Sequence, residues 1–133
     1  MSNTLVEQNE LLNLAIVGSR TMGIQYYDLF KVIVNKFINT NFPHKIITIV
    51  TGDEPRGIDF LASKYAKENN MKCIVFQADW KQYEKAAGPI RNAQIVKNSD
   101  AMLALPSFSG RGTQNSIKQM MEAKKPVWRL DID

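Results

Sequence analysis

Cysteine and histidine each occur once in these 133 residues, and both scarcities narrow the chemistry. A lone Cys73 cannot close an internal disulfide, which suits a reducing compartment, and its place in the apolar run CIVF predicts a thiol in a buried strand. His44, in the turn NFPHK, has no Cys/His companions at zinc-ligand spacing, so neither a metal nor another cofactor is expected. Long apolar runs are missing too, none approaching the roughly 20 residues of a membrane span. The start, MSNTLVEQNELLN, lacks the basic and apolar segments of a secretory signal. The expected location is therefore cytoplasmic, with no membrane partner.

What is present suits a single folded unit. A hydrophobic share of 44% with 23% charged residues lies well outside the disordered regime. The length allows one cored domain and is too short for two ordinary ones. Residues 1–12 read as a loosely attached extension and 13–133 as the domain, with no repeat, low-complexity tract or linker. The formal charge of +4 is modest, and lysine-studded helix faces are usually solvated surface, so the distribution of charge matters more than its sum.

Short apolar runs alternate with helical patterns: LAIV (14–17), IITIV (46–50), CIVF (73–76), AMLAL (101–105) and VWRL (127–130). Nearly continuous and without polar alternation, they predict strands buried on both faces. Helices are predicted over about Ile24–Asn39, Pro55–Asn69, Gly88–Asn98 and Thr113–Ala123, from apolar residues at helical spacing. Strand and helix in alternation imply right-handed crossovers and a parallel sheet covered on both sides. The expected fold is α/β, a doubly wound Rossmann-like sheet of about five strands in the order 3-2-1-4-5.

Open sheets of this kind bind ligands beyond the carboxyl ends of their strands. Of only five arginines, four lie on those connections: Arg20, Arg56, Arg91 and Arg111. In AAGPIRNAQ the Gly88-Pro89 pair reads as a helix entrance, placing Arg91 in a first turn where the macrodipole already disfavours a cation. Four guanidiniums gathered on one edge would repel one another. An anion supplies the missing partner, and the planar arginine fork suits phosphate. On this reading Arg91→Ala weakens anion binding and leaves folding intact. The alternative is local pairing, Arg56 with Asp53, Glu54 or Asp59 and Arg91 with Glu84.

The loop Ser107-Phe108-Ser109-Gly110-Arg111-Gly112-Thr113 reads as a phosphate cradle, with glycines for close approach and Ser109, Thr113 and backbone amides as donors. It lacks the Lys-Ser/Thr ending of a P-loop, and GSRTMG is not a dinucleotide fingerprint. Trp80 and Phe108 are candidates to stack on a base or to seal a loop against the core.

The segments IVGSRT, VTGDEPRGIDFLASKYAKE, ADWKQYEKAAGPIRNAQIV and DAMLALPSFSGRGTQNSI together resemble the signature blocks of the SLOG superfamily. The nearest branch by this likeness is that of the small bacterial and phage proteins of the YspA/YpsA-related type. The resemblance implies a Rossmann-like fold and a nucleotide-derived ligand. It implies ligand roles for Gly18, Ser19 and Arg20, for Gly52, Arg56, Gly57 and Asp59, for Asp79, Trp80, Gly88, Arg91 and Asn92, and for Gly110, Gly112 and Thr113. The chain also departs from the family. Hydrolases of the LOG type carry PGGxGTxxE with a catalytic glutamate, where this sequence has Ser116; Asn115 replaces an acid found in nearer relatives. Asp53-Glu54-Pro55 replaces a compact glycine-alanine turn.

Three functions follow as expectations. The first is binding of a phosphorylated nucleoside or nucleotide-derived ligand of the AMP, ADP-ribose or cyclic ADP-ribose class, for sensing or sequestration. The second is a phosphoribohydrolase-like enzyme with Asp59 or Asp79 as its carboxylate, because departure of a base builds oxocarbenium character that a carboxylate stabilises. Dipole compensation by Asp59 and turn capping by Asp79 are the structural alternatives. The third, ranked behind both, is single-stranded nucleic-acid binding in the manner of DprA, with Trp80, Tyr83 and Phe108 as stacking platforms. A homodimer or higher homo-oligomer is expected, with Met120, Met121 and Tyr26-Tyr27 available to an interface or to the core.

Overall fold

Five parallel strands form one sheet in the order β3-β2-β1-β4-β5, the order expected from the alternating pattern. The structure is a computed structural model and describes residues 10–106 and 111–131. The elements are β1 (Leu11–Gly18), α1 (Tyr27–Asn41), β2 (Ile46–Gly52), α2 (Ile58–Glu68), β3 (Lys72–Phe76), α3 (Trp80–Tyr83), α4 (Ala87–Lys97), β4 (Ala101–Leu105), α5 (Arg111–Glu122) and β5 (Val127–Arg129). Short 3-10 turns, Ile24–Tyr26 and Glu84–Ala86, lead into α1 and α4.

The strand period of two divides the core into two layers. Leu14 and Ile16 turn to one face, where they cluster with Phe30, Ile49, Leu61 and Leu103 beneath α1 and α2. Their neighbours Ala15 and Val17 turn to the other, packing with Val50, Ile95, Met102 and Met120 beneath α4 and α5. Truncating a fully buried residue such as Leu61 to alanine costs about 2–5 kcal/mol in cores of this density. Both layers meet under β1 and β4, whose crossovers run in opposite directions and leave a crevice at their carboxyl ends.

Several details depart from expectation. β3 is an edge strand, so Ile74 and Val75 are exposed and Cys73 is an exposed thiol rather than a buried one. An apolar run shows that a strand is apolar and not whether a second neighbour covers it. β5, the other edge, is likewise half open, with Trp128 packed edge-on against Phe37 and Phe42. β1 begins at Leu11, which pairs with Ile46, so the sheet takes in the last two residues assigned to the extension. Tyr27 and Met120 belong to the core, leaving Tyr26 and Met121 exposed. α4 starts at Ala87, after a 3-10 turn, so Arg91 is its fifth residue and stands in the second turn. The dipole argument for an anion at Arg91 therefore loses its force, because that field fades within one turn. No helix among the described residues is long and apolar enough to cross a membrane.

Candidate functional site

The connection after β1 is held from two sides. The Ser19 amide donates to the Leu105 carbonyl at 3.0 Å, and the Ile58 amide at the start of α2 donates to the Ser19 carbonyl at 2.9 Å. A Cβ on Gly57 would stand 2.1 Å from that same carbonyl oxygen and 2.5 Å from the Arg20 Cα, so only glycine lets the two connections touch. The Ser19 hydroxyl is engaged locally, with Thr21 Oγ1 at 2.8 Å and the Thr21 amide at 3.1 Å. Gly57 thus clamps the two connections together, from outside the cavity walls.

Between these connections and α5 lies a cavity of about 690 Å³, within the usual range for small-molecule sites. Gly18, Ser19, Arg20 and Thr21 form one wall, and Asp53, Glu54 and Asp59 form a second. Trp80, Arg91 and Asn92 close a third, and Arg111, Gly112, Thr113 and Ser116 the fourth. Three of the four expected arginines therefore share one cavity. Arg56 is not among its walls; its Nε lies 3.9 Å from Glu54. Ser109 and Gly110, expected in the phosphate cradle, lie outside the described residues with Ser107 and Phe108. Gly52 and Gly88 pack behind the walls instead of forming them, Gly88 lying beneath the Trp80 ring, which a Cβ there would approach to 3.4 Å.

Arg91 is committed to a partner, and not the expected Glu84. Its Nη1 donates to Asp53 Oδ1 at 2.7 Å and its Nε to Asn92 Oδ1 at 3.0 Å, with the side chain only 15% exposed. The other Asp53 oxygen accepts the Ala78 amide at 3.3 Å. Asn92 carries the chain of bonds into α5, donating to the Gly112 carbonyl at 3.3 Å and to Asn115 Oδ1 at 3.1 Å. Arg91 is therefore both wall and brace, which corrects the expectation that the fold is indifferent to it.

Asp59 is the buried carboxylate of the cavity. Its Oδ2 accepts the Glu54 amide at 3.3 Å, and its Oδ1 faces the Thr51 hydroxyl at 3.2 Å. Thr51 has one proton to give, and its shorter contact, 2.6 Å, is to the Ile16 carbonyl. Burial pushes the Asp59 carboxyl up to about 6, with the nearby Arg91 charge opposing that rise. Asp79 does different work. It is outside the cavity walls and caps α3, its Oδ1 accepting the Gln82 amide at 3.1 Å. That bond is the one the capping alternative calls for.

Asp53 and Glu54 were not foreseen as walls. Their one signal in the sequence is that charged residues stand where the resembling family has a compact turn. With Asp59 they make the cavity bipolar, carboxylates on the connection after β2 and at the start of α2 facing guanidiniums from the first connection, α4 and α5. Among the described residues no group of three or more His, Cys, Asp or Glu side chains is arranged to hold a metal ion.

The family model described as YspA, cpYpsA-related SLOG family matches residues 23–83. The SLOG resemblance is thereby shown. The matched SLOG segment includes the Asp53–Asp59 connection and Trp80 and stops short of α4 and α5. A curated relative, the Gene 61 protein of Mycobacterium phage D29, is 29% identical over 91 residues, 64% of this chain and 71% of the phage protein. DNA processing protein A (DprA) from Streptococcus pneumoniae superposes with a TM-score of 0.69 at 18% identity, over 98% of this chain and 53% of that one. The chain thus spans about half the length of that protein. The molybdenum cofactor carrier protein of Chlamydomonas reinhardtii gives 0.60 at 18% identity, covering 89% and 75%. DprA from Helicobacter pylori, described for its single-stranded DNA binding mode, gives 0.60 at 16%, covering 99% and 70%. At these identities the solved structures show a shared Rossmann-like fold.

Proposed function

We propose that the cavity binds a phosphorylated nucleoside or nucleotide-derived ligand, of the AMP, ADP-ribose or cyclic ADP-ribose class, as a sensor or sequestering protein. The observation that carries this reading is the α5 wall. Among the described residues Arg111 has no carboxylate partner, and a Cβ on Gly112 beside it would meet none of them within 4 Å. An unpaired guanidinium next to open backbone is where a phosphate finds both charge and amide donors. Trp80, also in the lining, offers an apolar face for a base, and the Asp59 carboxylate is an acceptor for hydrogen bonds from sugar hydroxyls. The SLOG match supports a nucleotide- or nucleic-acid-related role, and the carrier protein and DprA likenesses are compatible with it.

Calorimetric titration with AMP, ADP-ribose, cyclic ADP-ribose and nucleoside monophosphates tests the proposal. One of them is expected to bind saturably, and Arg111→Ala to weaken it about tenfold or more, the loss of a charge-assisted hydrogen bond. Absence of binding by every phosphorylated nucleoside refutes it.

A second reading, N-glycosidic cleavage of nucleoside monophosphates, rests on Asp59, a cavity carboxylate whose raised pKa suits proton transfer. Against it, Ser116 lines the cavity where the LOG hydrolases have their glutamate. Free base released from AMP, and abolished by Asp59→Asn, decides for the enzyme. The DprA likeness keeps single-stranded DNA as a third ligand, to be tested by salt-dependent oligonucleotide binding.

A further inference from the structure

Glu54 stands between two arginines at the mouth of the cavity. Its Oε2 lies 3.8 Å from Arg20 Nε and its Oε1 lies 3.9 Å from Arg56 Nε, so each oxygen faces a different guanidinium. Both distances are too long for tight hydrogen-bonded pairs. The two arginine side chains are 73% and 83% exposed, against 24% for Glu54. Little of either arginine is spent on packing, and both converge on one carboxylate that is itself a cavity wall. The stem of that carboxylate is fixed: the Glu54 amide donates to Asp59, Pro55 follows, and the next turn is locked to the first connection through Gly57.

We propose that Glu54 is an internal anion that a ligand must displace from Arg20 and Arg56, a threshold that a terminal, doubly charged phosphate clears and a singly charged phosphodiester does not. This rests on the reading of the cavity as a phosphate site. A tethered carboxylate competes at an effective concentration on the order of millimolar. A diester brings one negative charge and merely matches the carboxylate it replaces. A terminal phosphate carries about −1.5 to −2 near neutral pH and three acceptor oxygens, enough to span two guanidiniums. Once Glu54 is displaced, Arg56 is free to join the phosphate although it is not a wall of the unliganded cavity. The same residue then acts against nucleic-acid backbones, whose internal phosphates are all diesters, as repulsion built in to refuse a wrong partner.

The test compares AMP with its 5′-phosphate methyl ester, which differ at one phosphate oxygen, in calorimetry at low salt on the wild-type protein, Glu54→Gln and Glu54→Ala. The wild type is expected to prefer AMP about tenfold or more. Both variants are expected to bind each ligand about tenfold tighter than the wild type does, because breaking the Glu54 pairs costs the same whichever anion replaces the carboxylate. A wild type that binds neither ligand, with a variant that binds the methyl ester, also supports displacement. Unchanged affinities in the variants, or weaker binding of both ligands, overturns the role of Glu54 and leaves the phosphate site standing. No binding of either ligand by any of the three proteins overturns the role of Glu54, and the titrations with ADP-ribose and cyclic ADP-ribose, whose phosphates are all internal, then decide separately on the cavity.

Discussion

Asp59 and Arg91 approach the same empty point from opposite sides, the place where a side chain on Gly52 would begin. A Cβ there would lie 2.6 Å from Asp59 Oδ2 and 2.8 Å from Arg91 Nη1. Arg91 passes over the bare backbone to reach Asp53, while Asp59 stays with Thr51 and Glu54. Gly52→Ala therefore pushes apart two groups that sit in different walls of one cavity. It should cost about 1–3 kcal/mol, as overpacking does. Ligand affinity should fall with it, although residue 52 itself lines nothing. Urea denaturation and calorimetry on this variant check both, and unchanged affinity would show that Asp59 and Arg91 do not hold the ligand in register.

Arg91→Ala removes one partner of a largely enclosed ion pair and leaves Asp53 with the Ala78 amide alone. The expected loss is about 1–3 kcal/mol in the absence of ligand, the cost of stranding a partly desolvated charge. The double variant Arg91→Ala/Asp53→Ala should be no worse than the single one, because the stranded charge is gone. A double-mutant cycle by chemical denaturation decides. A melting temperature unaffected by Arg91→Ala would return Arg91 to the role of a free anion ligand.

The pH dependence of stability carries a signature of Asp59. Its carboxyl is raised from 3.8 to about 6 by burial, so the folded protein holds a proton that the unfolded chain has already released. Stability from this group is accordingly full below about pH 3.8 and falls as pH climbs to about 6, staying low beyond. Asp59→Asn, which keeps an acceptor for the Glu54 amide and gains a donor for Thr51, should stabilise the protein at pH 7.5 and confer no advantage at pH 4. Denaturation curves at the two pH values test this. An equal loss at both would mean that the carboxylate is needed for structure in its charged form.

How far the sequence reaches is visible in these same residues. The five runs and their order were legible because buried parallel strands leave continuous apolar stretches and crossovers have one hand. The cavity's place followed from the strand ends, and Gly18, Ser19, Arg20, Trp80, Asn92, Gly112 and Thr113 could be named from their connections. What pattern could not reveal is which partner a charge takes. Arg91 and Asp53 are far apart in sequence, and only the packing of α4 against the end of β2 brings them to 2.7 Å. Cys73 was misplaced for a related reason, since edge and centre strands are distinguished by neighbours rather than by their own residues. Gly57 and Gly52 stand behind the cavity walls, a distinction the sequence hides because a clamp and a cradle use the same residue.

Trp80 separates recognition of a nucleoside from recognition of phosphate alone. The indole is 53% exposed, lies at the cavity wall and rests on Gly88, so the fold buries little of it. Trp80→Ala should leave the melting temperature nearly unchanged. Stacking of a base on an aromatic face contributes about 1–3 kcal/mol, so AMP should bind about five- to a hundredfold more weakly to the variant. Inorganic pyrophosphate, which has no base, should bind both proteins alike. The pair of titrations is informative because the proposed phosphate and base sites lie on different walls: equal losses for both ligands would mean that Trp80 shapes the anion site rather than stacking, and no loss for either would put the base elsewhere. Only a loss confined to AMP fits an aromatic platform facing a guanidinium-lined phosphate site.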